Sequence, residues 1–107
     1  MTDAVVVFIT APSQETAVTL GRALVEERLA ACANIVPGLR SIYHWQGKVC
    51  DEPEVLVILK TRRDLFEALR ARARELHPYQ VPEIVALPIL AGHRDYLDWL
   101  AAETRPA

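Results

Sequence analysis

Two stretches of this chain are apolar without a break, residues 4–10 (AVVVFIT) and 55–61 (VLVILKT), the second closed by Lys60. Their β-branched content predicts buried strands, and the first is expected at the centre of a sheet, covered on both faces. Residues 31–36 and 39–45 also read as strand, separated by Pro37-Gly38, which predicts a bend or bulge within one long strand. Gln46-Gly47 offers a turn, so residues 31–61 form a long hairpin whose tip, around residues 46–53, projects beyond the core. Residues 83–90 (EIVALPIL) predict a further strand, with Pro88 confined to an edge or bulge because it has no N–H to give a ladder.

Between these strands the period changes to that of a helix. Ser13 is placed to cap a helix with Glu15 in its first turn and Ala17, Val18, Leu20, Leu24 and Val25 on one face. Gly21 lies within that face, and a glycine costs about 1 kcal/mol there relative to alanine, which predicts close approach of the helix to the sheet. The stretch Thr61-Arg62-Arg63-Asp64 resembles a capping box ahead of Leu65, Leu69, Ala73 and Leu76, and Pro78 ends that helix by His77. A last helix over residues 93–103 carries Tyr96, Leu97, Trp99 and Leu100. The order strand, helix, strand, strand, helix, strand, helix predicts a single α/β domain over residues 1–107. It is a ferredoxin-like βαββαβ α+β sandwich with an antiparallel sheet, a projecting hairpin and a C-terminal helix.

Composition narrows the function classes. In 107 residues, hydrophobic residues make up 51% and charged residues 24%, the balance of a chain that folds rather than a disordered tail. The formal charge is −2, and the one basic cluster, Arg62, Arg63, Arg70, Arg72 and Arg74, does not amount to a nucleic-acid footprint. Aliphatic strands in place of exposed aromatics also argue against an RNA-recognition module. The two cysteines, Cys32 and Cys50, match neither a disulfide framework nor zinc-ligand spacing. The apolar run near the N-terminus is far shorter than the roughly 20 residues that span a bilayer, so a membrane role is not expected and the reading is a cytoplasmic protein with reduced thiols.

No catalytic constellation is legible, and the chain is read as not an enzyme. Ser13 and Ser41 are explained as a cap and a strand residue, and His44, His77 and His93 are dispersed. Candidate metal ligands are Cys32, His44, Cys50, His77, Glu83 and His93, none forming a complete local set. His77 is the best of them, although a histidine in the last turn of a helix also suits the carbonyl end of the dipole. Cys32, among Ala30, Ala31 and Ala33, is expected to pack as a small buried hydrophobe, and Cys50, beside Asp51 and Glu52, is not expected to be a reactive thiolate. Lys60, ending a buried strand, must snorkel or pair, with Glu83 the suggested partner. Lys60, Tyr79 and Glu83 together suggest a cleft for a small polar ligand. Tyr43 and Trp45 alternate onto one face of the hairpin, and a two-stranded ribbon has no second layer to cover them, so a homo-oligomer interface is expected there.

The stretches TAP (10–12), LAAC (29–32), Pro37-Gly38, S-x-Y-x-W-x-G (41–47), Lys60-Thr61, HPY-x-x-PE (77–83) and YL-x-W (96–99) follow one another in order. In these the chain resembles the CutA divalent-cation tolerance family over nearly its whole length. The resemblance implies a homotrimer with hairpins pairing across subunit edges, similar in architecture to PII signalling proteins, and a cytoplasmic role in tolerance of copper and other divalent ions. Ile9 and Leu76 stand where relatives with proposed copper ligands carry cysteine and the first of two histidines, which leaves His77 alone. Copper(II) or another divalent cation is therefore expected to bind weakly, with His77 and Glu83 gathered across an interface, and no cofactor is required. The alternative is a PII-like trimeric signalling or small-ligand-binding module with no metal role.

Overall fold

The computed structural model describes residues 2–107. Its elements are β1 (Ala4–Ala11), α1 (Gln14–Glu26), β2 (Cys32–Trp45), β3 (Lys48–Arg62), α2 (Phe66–Leu76), β4 (Ile84–Pro88) and α3 (Arg94–Glu103). The sheet order is β2-β3-β1-β4 with every neighbouring pair antiparallel, the ferredoxin-like arrangement with a third helix appended. β1 lies inside the sheet, between β3 and β4, as its apolar run predicts.

Alternation decides which side of that sheet is the core. Val7, Ile9, Val57 and Leu59 are fully buried against Leu20 and Leu24 of α1 and Leu69 of α2. α1 starts where Ser13 Oγ accepts the N–H of Thr16 at 3.1 Å, a cap contributing about 1 kcal/mol. Its buried Gly21 lies so near β2 that a Cβ there would stand 3.0 Å from Ala33 Cβ, the close approach the glycine predicts.

Four expectations are corrected. The unbroken runs imply cover on both faces, but in the single chain Val6, Phe8 and Thr10 of β1 and Leu56, Ile58 and Lys60 of β3 are only half-buried. The helices cover one face of the sheet only, and these residues point to the other. The hairpin loop is two residues, Gln46 and Gly47, both at positive φ (50° and 79°), as a type I′ turn requires. Residues 48–53 are therefore strand and not loop, with Trp45 opposite Lys48. Pro53 is tolerated there because β1 has already ended, its last pairing being Ala11 with Val55, so no ladder on that side needs the missing N–H. Thr61 caps no helix: it belongs to β3, its buried hydroxyl donates to Leu29 O at 2.6 Å, and α2 is entered through a 3₁₀ turn at Arg63–Leu65. Finally, Cys32 is half-buried, its Sγ 3.5 Å from the Tyr96 hydroxyl, because it starts β2 on the sheet face away from α1 and α2.

The expected irregularity at Pro37-Gly38 is present as a register shift between Val36 and Leu39, with Gly38 at φ 91°. Pro88 ends the edge strand β4, which is shorter than the run 83–90 suggests.

Candidate functional site

Past Pro53, β2 and β3 pair only with each other, and the loop after α2 crosses the root of this arm. His77 terminates α2 in an extended conformation and is 6% exposed. Its Nδ1 accepts the backbone N–H of Tyr79 at 3.1 Å, so Nε2 carries the proton and donates it to Thr10 O at 2.8 Å. The ring thus ties the exit of α2 to the end of β1, and its centroid lies 4.7 Å from that of Tyr79. Tyr79 in turn donates its hydroxyl to Glu54 Oε2 at 2.7 Å. Burial, together with the hydrogen bond to Glu54 and its negative charge, pushes the Tyr79 phenol well above its ordinary range, so it remains a donor at any physiological pH. Glu54, 8% exposed, is thereby spared the cost of an unpartnered buried carboxylate.

This chain of bonds forms the floor of a cleft of about 840 Å³. Its walls are the side chains of Tyr43, Trp45 and Tyr79, with the carboxylates of Glu54 and Glu83 and the hydroxyls of Thr10 and Ser41. A cavity of this size, aromatic with a few convergent polar groups, has the character of a small-molecule site.

The structure brings Tyr79 and Glu83 together with Tyr43 and Trp45, but it separates Lys60 from them. Lys60 pairs across the sheet with Cys32 and Val6, and its Nζ donates to Asn34 Oδ1 rather than to Glu83. Both nitrogens of His77 are engaged, so a metal ion reaching either one must first displace a hydrogen bond. Ile9 is buried in the core and Leu76 packs against it, so neither position supplies a donor. Among the described residues, no three His, Cys, Asp or Glu side chains come together as a metal site. Sequence reasoning missed Glu54, whose available signal was a carboxylate set one residue ahead of the apolar run VLVIL, in phase with Leu56 and Ile58.

Tyr43 and Trp45 are 41% and 40% exposed on the arm, while Ile42 and Val49 each reach 66%. Among the described residues no helix is long and apolar enough to cross a membrane.

Residues 5–103 match the family model described as CutA1 divalent ion tolerance protein. Over 99 residues the chain is 61% identical to the divalent-cation tolerance protein CutA of Thermus thermophilus, covering 92% of this chain and 96% of that relative. It is 48% identical to the chloroplastic protein CutA of Arabidopsis thaliana over 94% of its own length, and spans 56% of that longer relative. The solved divalent cation tolerance protein (Cut A1) from Thermus thermophilus superposes with a TM-score of 0.93 at 59% identity, covering 95% of this chain and 99% of that one.

Proposed function

We propose that this chain, which belongs to the CutA1 divalent ion tolerance protein family, works as a cytoplasmic homotrimer in tolerance of divalent metal ions. The observation that carries the assembly is the sheet face opposite α1 and α2. Val36, Val85 and Leu87 are 39%, 44% and 46% exposed there, beside half-buried Phe8 and Ile58 and continuous with the aromatic arm. Monomeric proteins rarely leave contiguous apolar patches of this kind open. Three is the number of copies that the family resemblance implies, and a neighbour on this face would cover what the unbroken strand runs hide. Sedimentation at micromolar concentration is expected to give three times the chain mass of 12.0 kDa; a monomer overturns the reading.

Copper(II) binding on this reading is weak. The imidazole of His77 is engaged on both sides and Glu83 offers a single exposed carboxylate, so a tighter site needs donors from a neighbouring subunit. Calorimetric titration of copper(II) is expected to give low affinity that His77→Ala changes little; tight stoichiometric binding lost in that variant would restore His77 as a ligand.

A second reading, a PII-like small-ligand-binding or signalling module with no metal role, is favoured by the cleft itself. Its floor is held by hydrogen bonds and its rim includes the arm that a neighbour would cover, which would place the site between subunits.

A further inference from the structure

The cleft at the root of the arm has a one-sided chemistry. Among the described residues its lining includes neither lysine nor arginine, and His44 is its one residue of basic type. Two cations of the same sheet are engaged elsewhere, Arg40 with Asp51 at 2.8 and 2.7 Å and Lys60 with Asn34, and Lys48, opposite Trp45 at the tip of the arm, is exposed and outside the lining. Against this stand two carboxylates of different character. Glu83 is exposed at the rim, whereas Glu54 is buried in the floor. Glu54 Oε2 takes the Tyr79 hydroxyl, but Oε1 has no hydrogen-bond partner among the described residues and is not sealed from solvent. A largely buried carboxylate that lines a cleft and keeps one oxygen accessible can accept from a ligand there, and a charged donor is the strongest partner for it.

The rings select among cations. Tyr43, Trp45 and Tyr79 line the cleft, and aromatic rings attract ammonium groups and favour those carrying alkyl substituents that the rings can desolvate. A hydrated divalent metal ion gains little from such walls, and among the described residues no three His, Cys, Asp or Glu side chains gather to hold one. An anion would meet two carboxylates, with no guanidinium or ammonium in the lining.

We propose that this cleft binds a small organic cation of the aliphatic amine class, its protonated nitrogens held by Glu54 Oε1 in the floor and Glu83 at the rim and its alkyl chain lying against the aromatic walls. The proposal rests on the small-ligand reading of the cleft and names the ligand chemistry. Tyr79 acts as a positioning residue: by occupying Glu54 Oε2 it holds the other oxygen toward the cavity.

The test is calorimetric titration of the full chain with spermidine, using glutarate as the charge-reversed control and magnesium chloride at matched ionic strength. Spermidine is expected to saturate one site per chain, glutarate to give no binding, and Glu83→Gln and Glu54→Gln each to weaken spermidine about tenfold or more, as losing a hydrogen bond to a charged group does. Glu83 is exposed, so its variant folds even if the Glu54 variant does not. The proposal is overturned if spermidine does not saturate, if magnesium displaces it at equal concentration, or if both variants bind like the parent. Saturable uptake of glutarate with none of spermidine would keep the small-ligand reading and overturn the cationic one. Sedimentation of the same samples separates a further case: if Glu83→Gln dissociates the oligomer and the parent takes up no amine, the occupant is a neighbour's cationic side chain and the proposal fails.

Discussion

β2 and β3 run through two environments. Over residues 55–60, β3 is flanked by both β2 and β1, and its inward residues Val57 and Leu59 are fully buried under the helices. Over residues 48–54 the same strand has only β2 beside it, and Val49 and Ile42 stand 66% exposed. β2 and β3 pair on both sides of the Pro37-Gly38 bulge, so hydrogen bonding between them does not distinguish the halves. What differs is the second layer: the base has one of its own, and the arm is a ribbon of a kind that is marginal when isolated. The base carries a core of its own, and the arm does not.

The largest effect should come from the base. Leu59→Ala, at a fully buried position, is expected to cost about 2 to 5 kcal/mol in chemical denaturation, whether or not the protein is assembled. Trp45→Ala should do the reverse. It is expected to leave the secondary structure and the fold of the chain unchanged while weakening assembly by about 2 kcal/mol, as for an aromatic at the centre of an interface. Dilution series in the ultracentrifuge measure this, and an unchanged dissociation profile would remove the contrast between arm and base.

Tyr79→Phe tests the junction between the two. Losing the hydroxyl leaves the buried Glu54 with one acceptor unmet, at a cost of about 1 to 2 kcal/mol near neutral pH. The pH dependence has a definite sign. Because the folded-state pKa of Tyr79 is raised, its contribution is complete below the ordinary tyrosine value of 10.0 and is lost as pH climbs from there toward the raised folded value. Urea midpoints should therefore fall more steeply for the parent than for Tyr79→Phe as pH rises above 10.0, with little difference in slope below it. The smallest change is expected on the arm's surface. Arg40 holds the Asp51 carboxyl below its ordinary range, so what the pair contributes is present above pH 3.8 and fades as pH falls. Both groups are solvated, and Asp51→Asn should leave the melting temperature within error at neutral pH and high salt.

How legible each part was follows from the range of the interactions behind it. The cap at Ser13, the stop at Pro78, the bulge at Pro37-Gly38 and the close approach at Gly21 all follow from local stereochemistry, and all are present. The capping box at Thr61 failed because a tertiary bond to Leu29 O outcompetes a local one. The tip at residues 48–53, KVCDEP, shows no apolar alternation, yet it is strand, because a strand exposed on its flanks needs none when its partner supplies the ladder. Tyr79 and Glu83 were legible as a pair on one short segment; Glu54, 25 positions before Tyr79, was not.

By itself the sequence determined the order of elements, the ferredoxin-like class, the edge position of Pro88 and the aromatics that mark the arm. These follow from periodicity, proline chemistry and β-branching, which act within a few residues of each other. Only the tertiary structure decided that His77 ties α2 to β1, that Lys60 lies outside the cleft lining, and that Glu54 is its floor. The reason is that a ring nitrogen, an ammonium and a carboxylate each take whichever partner the fold places within about 3 Å, and that choice is made by strand register and loop path between residues distant in the chain.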